Sequence, residues 1–221
     1  MRAIATVLGI AFLLWTAVSG GGRAAEIEAQ REPGRYAPAT DRPIPSDKVA
    51  ATFAFDPAVA PQDRQAIETA IAGARPEAQQ LIARVDGLTS ISVGPLRQAA
   101  GTTRGLGDGY AVELDLGPVA QHLGTRGISR VVLHELAHVI DFAILPDALR
   151  ETLDAGVPDG WGCEQGRSGA CAVREERFAE SFAKWAMNDI GVDLFIGYKV
   201  PPPGPTLDAW GAPLAQLAAS R

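Results

Sequence analysis

The stretch HELAH, residues 134–138, lies inside the run GISRVVLHELAHVIDF, residues 127–142. Apolar residues recur through this run at helical spacing around the charged positions, so the sequence predicts an α-helix from about Ser129 to Ala143. Side chains four residues apart lie on the same face of a helix, so the two imidazoles of the stretch can reach one common point. The intervening glutamate lies one residue further round the helix.

Two histidines and a glutamate at this spacing predict a zinc site with hydrolytic chemistry. His134 and His138 can grip one ion together, while Glu135 can reach a water on that ion without being a ligand. The chain has only three histidines, and two of them fall within this stretch. The alternative is an exposed helix on which these side chains are solvated or paired. We favour the metal site because the HExxH chemistry of zinc metallopeptidases needs these residue types at this spacing.

A third protein ligand is needed, because catalytic zinc is held by three side chains and a water. Asp141 lies on nearly the same helix face, but its short side chain points poorly at an ion between the imidazoles, so a supporting or helix-packing role is expected. His122 is conceivable but precedes the helix. Glu176 and Glu180 lie on a separate predicted helix that can approach from the other side. Their spacing lets one bind the ion while the other accepts the free N–H of a ligating histidine.

The two motifs together are similar to a known pattern. HELAHVID at 134–141, followed by ERFAESFA at 176–183, resembles the HExxHxxD and ExFAExF layout of gluzincin peptidases of the anthrax lethal factor type and of the bacterial Pro-Pro endopeptidases. The resemblance covers about residues 110–190. It implies an α+β, zincin-like fold, in which a small sheet and the active-site helix form one lobe and the glutamate helix belongs to a mostly helical C-terminal lobe.

The resemblance also implies a role for each motif residue. By motif position, His134, His138 and Glu176 would be the zinc ligands. Glu135 would be the general base, and Glu180 would support a ligating histidine. These five residues are the candidate site.

In one position the chain departs from those families. They place a tyrosine seven residues before the ligand glutamate, where it can donate to the oxyanion, and this chain has Gly169 there. On the sequence alone the substitute stays open: it is Tyr110, Tyr198 or an arginine such as Arg167.

The N-terminus has the pattern of a secretory signal peptide. Arg2 precedes an apolar run at 4–18, and small residues follow at 19–22 and 24–25. An uncleaved anchor is the alternative, but the apolar run is short for a membrane span. A chain of 221 residues suits one domain with a hydrophobic core. We therefore expect four parts: a signal peptide at 1–25, an extended Pro-rich leader at 26–50, a catalytic domain at 51–200 and a Pro-rich tail at 201–221.

Charge restricts the classes of partner. Loss of residues 1–25 removes Arg2 and Arg23 but no acid, which moves the formal net charge from −6 to −8. An acidic protein without a basic patch argues against nucleic acid and anionic membranes as partners. We expect an exported monomer, periplasmic or secreted, that acts on a peptide or protein and has no stable membrane association once the signal peptide is removed.

Cys163 and Cys171 remain after removal of the signal peptide. In an oxidising compartment they most simply form one disulfide. Their spacing is wrong for a zinc knuckle and gives no CxxC redox motif.

Periodicity predicts the remaining elements. Helices are expected at 62–74, 77–85, 146–153 and 173–188, with a weak amphipathic segment at 214–219, and strands at 51–55, 88–94 and 110–116. The strand at 110–116 alternates cleanly and is either an edge that pairs with an extended substrate or an ordinary sheet edge. The segment 101–109 holds four glycines but no Walker lysine follows, so we predict a flexible hairpin connection rather than a phosphate-binding loop.

The sequence therefore predicts an exported zinc metallopeptidase in which Glu135 takes a proton from a zinc-bound water. A non-catalytic exported protein that keeps a zinc site for structure or storage is the alternative, and the missing tyrosine supports it. A third hypothesis is an envelope interaction domain without a metal.

Overall fold

The computed structural model describes residues 8–9, 53–97, 99–158, 172–191, 194 and 199–220. These residues form six α-helices and a small mixed sheet, which confirms the predicted α+β class. Most of the predicted signal peptide, the leader at 26–50 and both cysteines lie outside the described residues, so the predictions made for them stay predictions.

The sheet is small and contains one reversed strand next to an edge. Its strands are β1 (Leu8–Gly9), β2 (Ala54–Phe55), β3 (Thr89–Val93), β4 (Gly101–Leu106) and β5 (Gly109–Leu114). The strand order is β1-β4-β5-β3-β2. β2, β3 and β5 are parallel to one another, whereas β4 runs antiparallel to β5 and pairs antiparallel with the two residues of β1.

The strand predicted as an edge lies inside the sheet. β5 pairs with β3 on one side and with β4 on the other, so the prediction of an edge at 110–116 is wrong. The predicted flexible connection at 101–109 is mostly strand β4. Only Gly107 and Asp108 turn, and Gly107 has a φ of 58°, which glycine adopts without strain. Pairing with β5 keeps this glycine-rich segment extended, an effect that local sequence does not reveal.

The helices account for most of the chain. They are α1 (Pro61–Ala72), α2 (Pro76–Ala83), α3 (Leu116–Ile144), α4 (Asp147–Ala155), α5 (Arg174–Met187) and α6 (Leu207–Ala219). α3 is interrupted at Gly124, which has a φ of 62°, so the part that carries HELAH begins after that glycine. α5 ends at Asn188 in the left-handed conformation, a common way to terminate a helix.

Helix α3 lies in the middle of the molecule, between the sheet and α5. Leu133, Leu136 and Ile140 of α3 are fully buried, as are Phe178 and Phe182 of α5. Each such side chain contributes roughly 1.5–3 kcal/mol of hydrophobic stabilisation. The apolar stripe predicted on the glutamate helix therefore faces the core, and the packing of that stripe on α3 sets where the glutamates lie.

Helix α6 belongs to the same core. Trp210 and Leu214 are buried, and the indole N–H of Trp210 donates to the backbone carbonyl of Leu153 at 3.0 Å. Residues 207–219, which the sequence assigns to a Pro-rich tail, thus pack onto the domain. No helix in the described part of the chain combines the length and apolar character that crossing a bilayer requires.

Substitution of Gly211 tests the packing of α6 on α5. A Cβ atom there would lie 2.0 Å from Nε1 of the buried Trp185 ring. Since the ring cannot move aside in a packed core, Gly211→Ala should lower the free energy of unfolding by about 1–3 kcal/mol. Gly117→Ala is the control, because nothing lies within 4 Å of a Cβ there and no loss is expected. Chemical denaturation of both variants is the measurement, and equal stability would contradict this packing.

Candidate metal centre

Three side chains from two helices converge in the interior. His134 and His138 come from α3, Glu176 comes from α5, and all three are buried. Nε2 of His134 lies 3.1 Å from Oε2 of Glu176 and 3.2 Å from Nε2 of His138. Nε2 of His138 lies 3.6 Å from Oε1 of Glu176. The structure thus brings together the three side chains that the sequence predicts as ligands.

The spacing of these atoms suits a tetrahedral metal ion. Bonds of about 2.0–2.1 Å from such an ion to nitrogen and oxygen place neighbouring ligand atoms about 3.3 Å apart. The three separations of 3.1, 3.2 and 3.6 Å lie around that value. Two neutral imidazole nitrogens that face each other can share at most one proton, so a cation between them is the better complement to this arrangement. The cluster can therefore hold a metal ion.

The electrostatic environment of the cluster also favours a positive charge among the three ligand atoms. Burial lowers the pKa of His134, but the contacts with Glu176 and Glu180 outweigh burial and raise that pKa to about 10. Burial lowers the pKa of His138 to about 3, with the charge on His134 acting in the same direction. Without a metal, the cluster holds a proton on His134, at the point where the three ligand atoms meet. A bound cation would replace that proton.

Glu180 lies on the other side of the His134 ring from Glu176. Its Oε2 is 3.4 Å from Nδ1 of His134. Its Oε1 is 3.0 Å from Nζ of Lys184 and 3.7 Å from Nη1 of Arg130. Burial raises the pKa of Glu180, but Lys184 and then Arg130 outweigh burial and hold that pKa at about 2. An ionised carboxylate beside Nδ1 can orient a ligating histidine, which is the supporting role predicted for Glu180.

Glu135 lies against β4. Oγ1 of Thr103 is 2.8 Å from Oε2 of Glu135 and 3.0 Å from the backbone carbonyl oxygen of the same residue. Oε1 is buried and has no hydrogen-bond partner among the described residues. Burial raises the pKa of Glu135 to about 7, although His134 and the Thr103 hydroxyl act in the opposite direction. A carboxyl group with one free oxygen and a pKa near neutrality is suited to proton transfer.

The close approach of β4 requires a glycine. A Cβ atom at Gly101 would lie 2.6 Å from both Cγ and Oε1 of Glu135. The strand can therefore lie directly on the glutamate only because residue 101 lacks a side chain. This explains one of the glycines in a segment that the sequence alone presents as a flexible connection.

Asp141 is buried outside the cluster. Its carboxylate accepts hydrogen bonds from Arg150 at 3.1 Å and from Arg174 at 2.6 Å and 3.0 Å. Because Arg150 is on α4 and Arg174 begins α5, Asp141 ties three helices together, in the helix-packing role expected for it. His122 is exposed and is not part of the cluster.

The residues considered for the oxyanion lie apart from the cluster or outside the described residues. Tyr110 stacks on Phe142 with ring centroids 6.3 Å apart, and Phe142 stacks on His138 at 6.0 Å. The ring of Phe142 thus lies between Tyr110 and the predicted ligand His138. The other three positions lie outside the described part of the chain: Arg167, Gly169 and Tyr198.

Sequence reasoning does not identify three further residues that touch the site. A Glu180–Lys184 pair at four-residue spacing is an ordinary feature of exposed helices, and only its position on a buried face marks it as unusual. Arg130 precedes the motif by one turn and reads as a solvated charge. Thr103 meets Glu135 through sheet pairing, which local sequence does not encode.

Comparison of the chain with protein families, with curated proteins and with solved structures finds no match. The function is therefore inferred from the geometry of the site and from the motifs that form it.

The metal content of two variants should distinguish the role of Glu176 from that of Asp141. Glu176→Ala removes one of three ligand atoms and should leave the purified protein without metal. Asp141→Asn keeps all three ligands and should keep its metal, although the altered contacts with Arg150 and Arg174 should lower stability. Metal analysis by plasma mass spectrometry after dialysis is the measurement. Equal metal content in the two variants would contradict the ligand assignment.

Proposed function

We propose that this chain is an exported zinc metallopeptidase of the gluzincin type with a zincin-like fold, acting as a monomer. The observation that carries the proposal is the convergence of His134, His138 and Glu176 beside Glu135. Two histidines and a glutamate are a ligand set of catalytic zinc sites, which keep one position open, whereas structural sites have four protein ligands. The resemblance of the two motifs to known gluzincins supports the same function.

Proton transfer is the task of Glu135. Zinc, when bound, supplies a Lewis acid that polarises the scissile carbonyl and lowers the pKa of a water. Glu135 accepts the proton of the attacking water through its free oxygen, Oε1, and delivers that proton to the leaving amine. In the metal-free protein burial raises the pKa of Glu135 to about 7, and this burial favours a carboxylate that readily accepts a proton.

Thr103 can hold Glu135 in one orientation in both protonation states. When Glu135 is ionised, the hydroxyl of Thr103 donates to Oε2. When Glu135 carries the proton taken from the water on Oε1, Oε2 remains an acceptor for the same hydroxyl of Thr103. The carboxyl group therefore need not rotate during catalysis, which keeps Oε1 available to the water.

The outer edge of β4 is the proposed docking surface for the substrate. That edge pairs antiparallel with two residues of this chain, Leu8 opposite Thr103 and Gly9 opposite Thr102, so its backbone groups can accept an extended peptide. Leu8 and Gly9 belong to the signal peptide predicted at 1–25, so in the exported chain no described residue would pair with this edge beside Glu135. The substrate-pairing role considered for the strand at 110–116 thus moves to its neighbour, β4.

A non-catalytic exported zinc-binding protein is the second candidate function. Gly169 favours it, because the related peptidases have a tyrosine at that position. The environment of Glu135 argues against it, since a site that only stores or binds zinc has no need of a buried carboxyl group with one free oxygen and a pKa near neutrality.

Glu135→Gln tests the proposed base without altering the three metal ligands. The variant keeps the size of the side chain and all three ligands, so metal content and thermal stability should match those of the wild type. Cleavage of a peptide library by the mature protein should fall by about 10²–10⁴-fold, and a chelator should abolish the wild-type activity. A metal-loaded wild type that cuts nothing would contradict the peptidase function. Equal rates for the two proteins would contradict the role of Glu135.

Thr103→Val tests the support of the base. Valine keeps the volume and the extended backbone but removes the hydroxyl, so kcat should fall roughly tenfold, equivalent to about 1.4 kcal/mol, with metal content unchanged. Thr103→Ser should retain most of the activity. Thr152→Val is the matched control, since that threonine is exposed on α4 and its hydroxyl donates to the carbonyl of Ala148 within the same helix. The same fall in kcat at both positions would show that the hydroxyl of Thr103 has no special role.

A further inference from the structure

A cluster of buried charges lies on the Nδ1 side of His134. It consists of Arg130 on α3 and of Glu180 and Lys184 on α5, whose side chains are 0%, 5% and 3% exposed. Burying a charge costs folding free energy unless the charge is paired. Three buried charges in contact are therefore expected to have a structural or functional role. None of the three binds the metal in the proposed function.

Both cations of this cluster act on the same oxygen of Glu180. Nζ of Lys184 donates to Oε1 at 3.0 Å, and Nη1 of Arg130 faces Oε1 at 3.7 Å. The second oxygen, Oε2, is thereby turned toward Nδ1 of His134, 3.4 Å away. The two cations thus fix the carboxylate through Oε1, while Oε2 faces the metal-binding histidine His134.

The two cations are themselves fixed by backbone carbonyls. Nζ of Lys184 donates to the carbonyl of Val200 at 2.7 Å, and Nη2 of Arg130 donates to the carbonyl of Asp189 at 3.1 Å. Arg130 also needs Gly191 beside it, because a Cβ atom there would lie 1.8 Å from Nη2. These anchors do not involve the metal ligands, so the cluster can hold its geometry whether or not a metal is bound.

We propose that Lys184 and Arg130 are positioning residues that set the metal affinity of the site by fixing Glu180, which orients His134; this inference rests on the metal-dependent function proposed above. A carboxylate at Nδ1 keeps the proton on that nitrogen and leaves Nε2 free to bind a metal. If Lys184 is removed, Glu180 keeps one cation at the longer distance and is free to turn away from the ring. The fixed carboxylate, and with it the metal affinity, would then be lost.

The test measures zinc affinity rather than catalysis. Lys184→Met keeps an unbranched chain of similar length and should weaken zinc binding about 10–100-fold, as measured by competition with a chromophoric chelator. Lys184→Arg should recover most of the affinity, and the visible absorption bands of the cobalt-substituted Lys184→Met protein should shift. Arg75→Met is the matched control, since Arg75 pairs with Asp208 outside the cluster and should leave the affinity unchanged.

A double variant separates positioning from a merely structural role. Glu180→Gln with Lys184→Met leaves no unpaired carboxylate, so it should fold even if Lys184→Met alone does not. If Lys184 acts through Glu180, adding Lys184→Met to Glu180→Gln should change zinc affinity by less than about twofold. Additive losses, or unchanged affinity in Lys184→Met, would overturn the proposal. A wild type that binds zinc but cleaves no peptide would overturn only the peptidase function, and one that binds no zinc would overturn both.

Discussion

The packing of α5 on α3 is the constraint on which the site depends. It brings Nε2 of His134 to 3.1 Å from Oε2 of Glu176, although the two residues are 42 positions apart in the chain. The contact is made by apolar side chains, and Phe178 and Phe182 are buried on the same helix that carries Glu176. Hydrophobic burial thus supplies the free energy that holds two carboxylates and two imidazoles together, and any change in the tilt of α5 would separate the ligands.

Buried polar atoms without a hydrogen-bond partner are concentrated at the site. Within the described residues they include Nδ1 of His134, Nδ1 of His138 and Oε1 of Glu135, and also Nε and Nη1 of Arg130, whereas Ser181 and Arg75 contribute one atom each. Each unpartnered polar group costs stability, typically about 1–3 kcal/mol. Such costs are expected where function requires them, because free polar atoms can bind a ligand or transfer a proton. Most of these atoms belong to the side chains that form the site and to Arg130, which lies behind Glu180.

The sequence predicts the local parts of this arrangement well. The two histidines and the two later glutamates each share a helix at four-residue spacing, so helical periodicity finds them without tertiary information. It does not find Thr103 because that residue reaches Glu135 through the pairing of β4 with β5. Strand pairing also explains why the prediction of an edge strand at 110–116 is wrong, because β5 pairs with β3 and with β4. The sequence places Trp210 and Leu214 in a Pro-rich tail, yet both are buried in the structure. The zincin-like arrangement of lobes stays a proposal.

The proposed function requires two imidazoles and one carboxylate to enclose a single zinc ion. X-ray absorption at the zinc edge, measured on the zinc-loaded mature protein, is the decisive measurement. Only nitrogen and oxygen neighbours are expected, at about 2.0–2.1 Å, with the outer-shell scattering of two imidazole rings. Sulfur neighbours at about 2.3 Å, or fewer than two imidazoles, would contradict it.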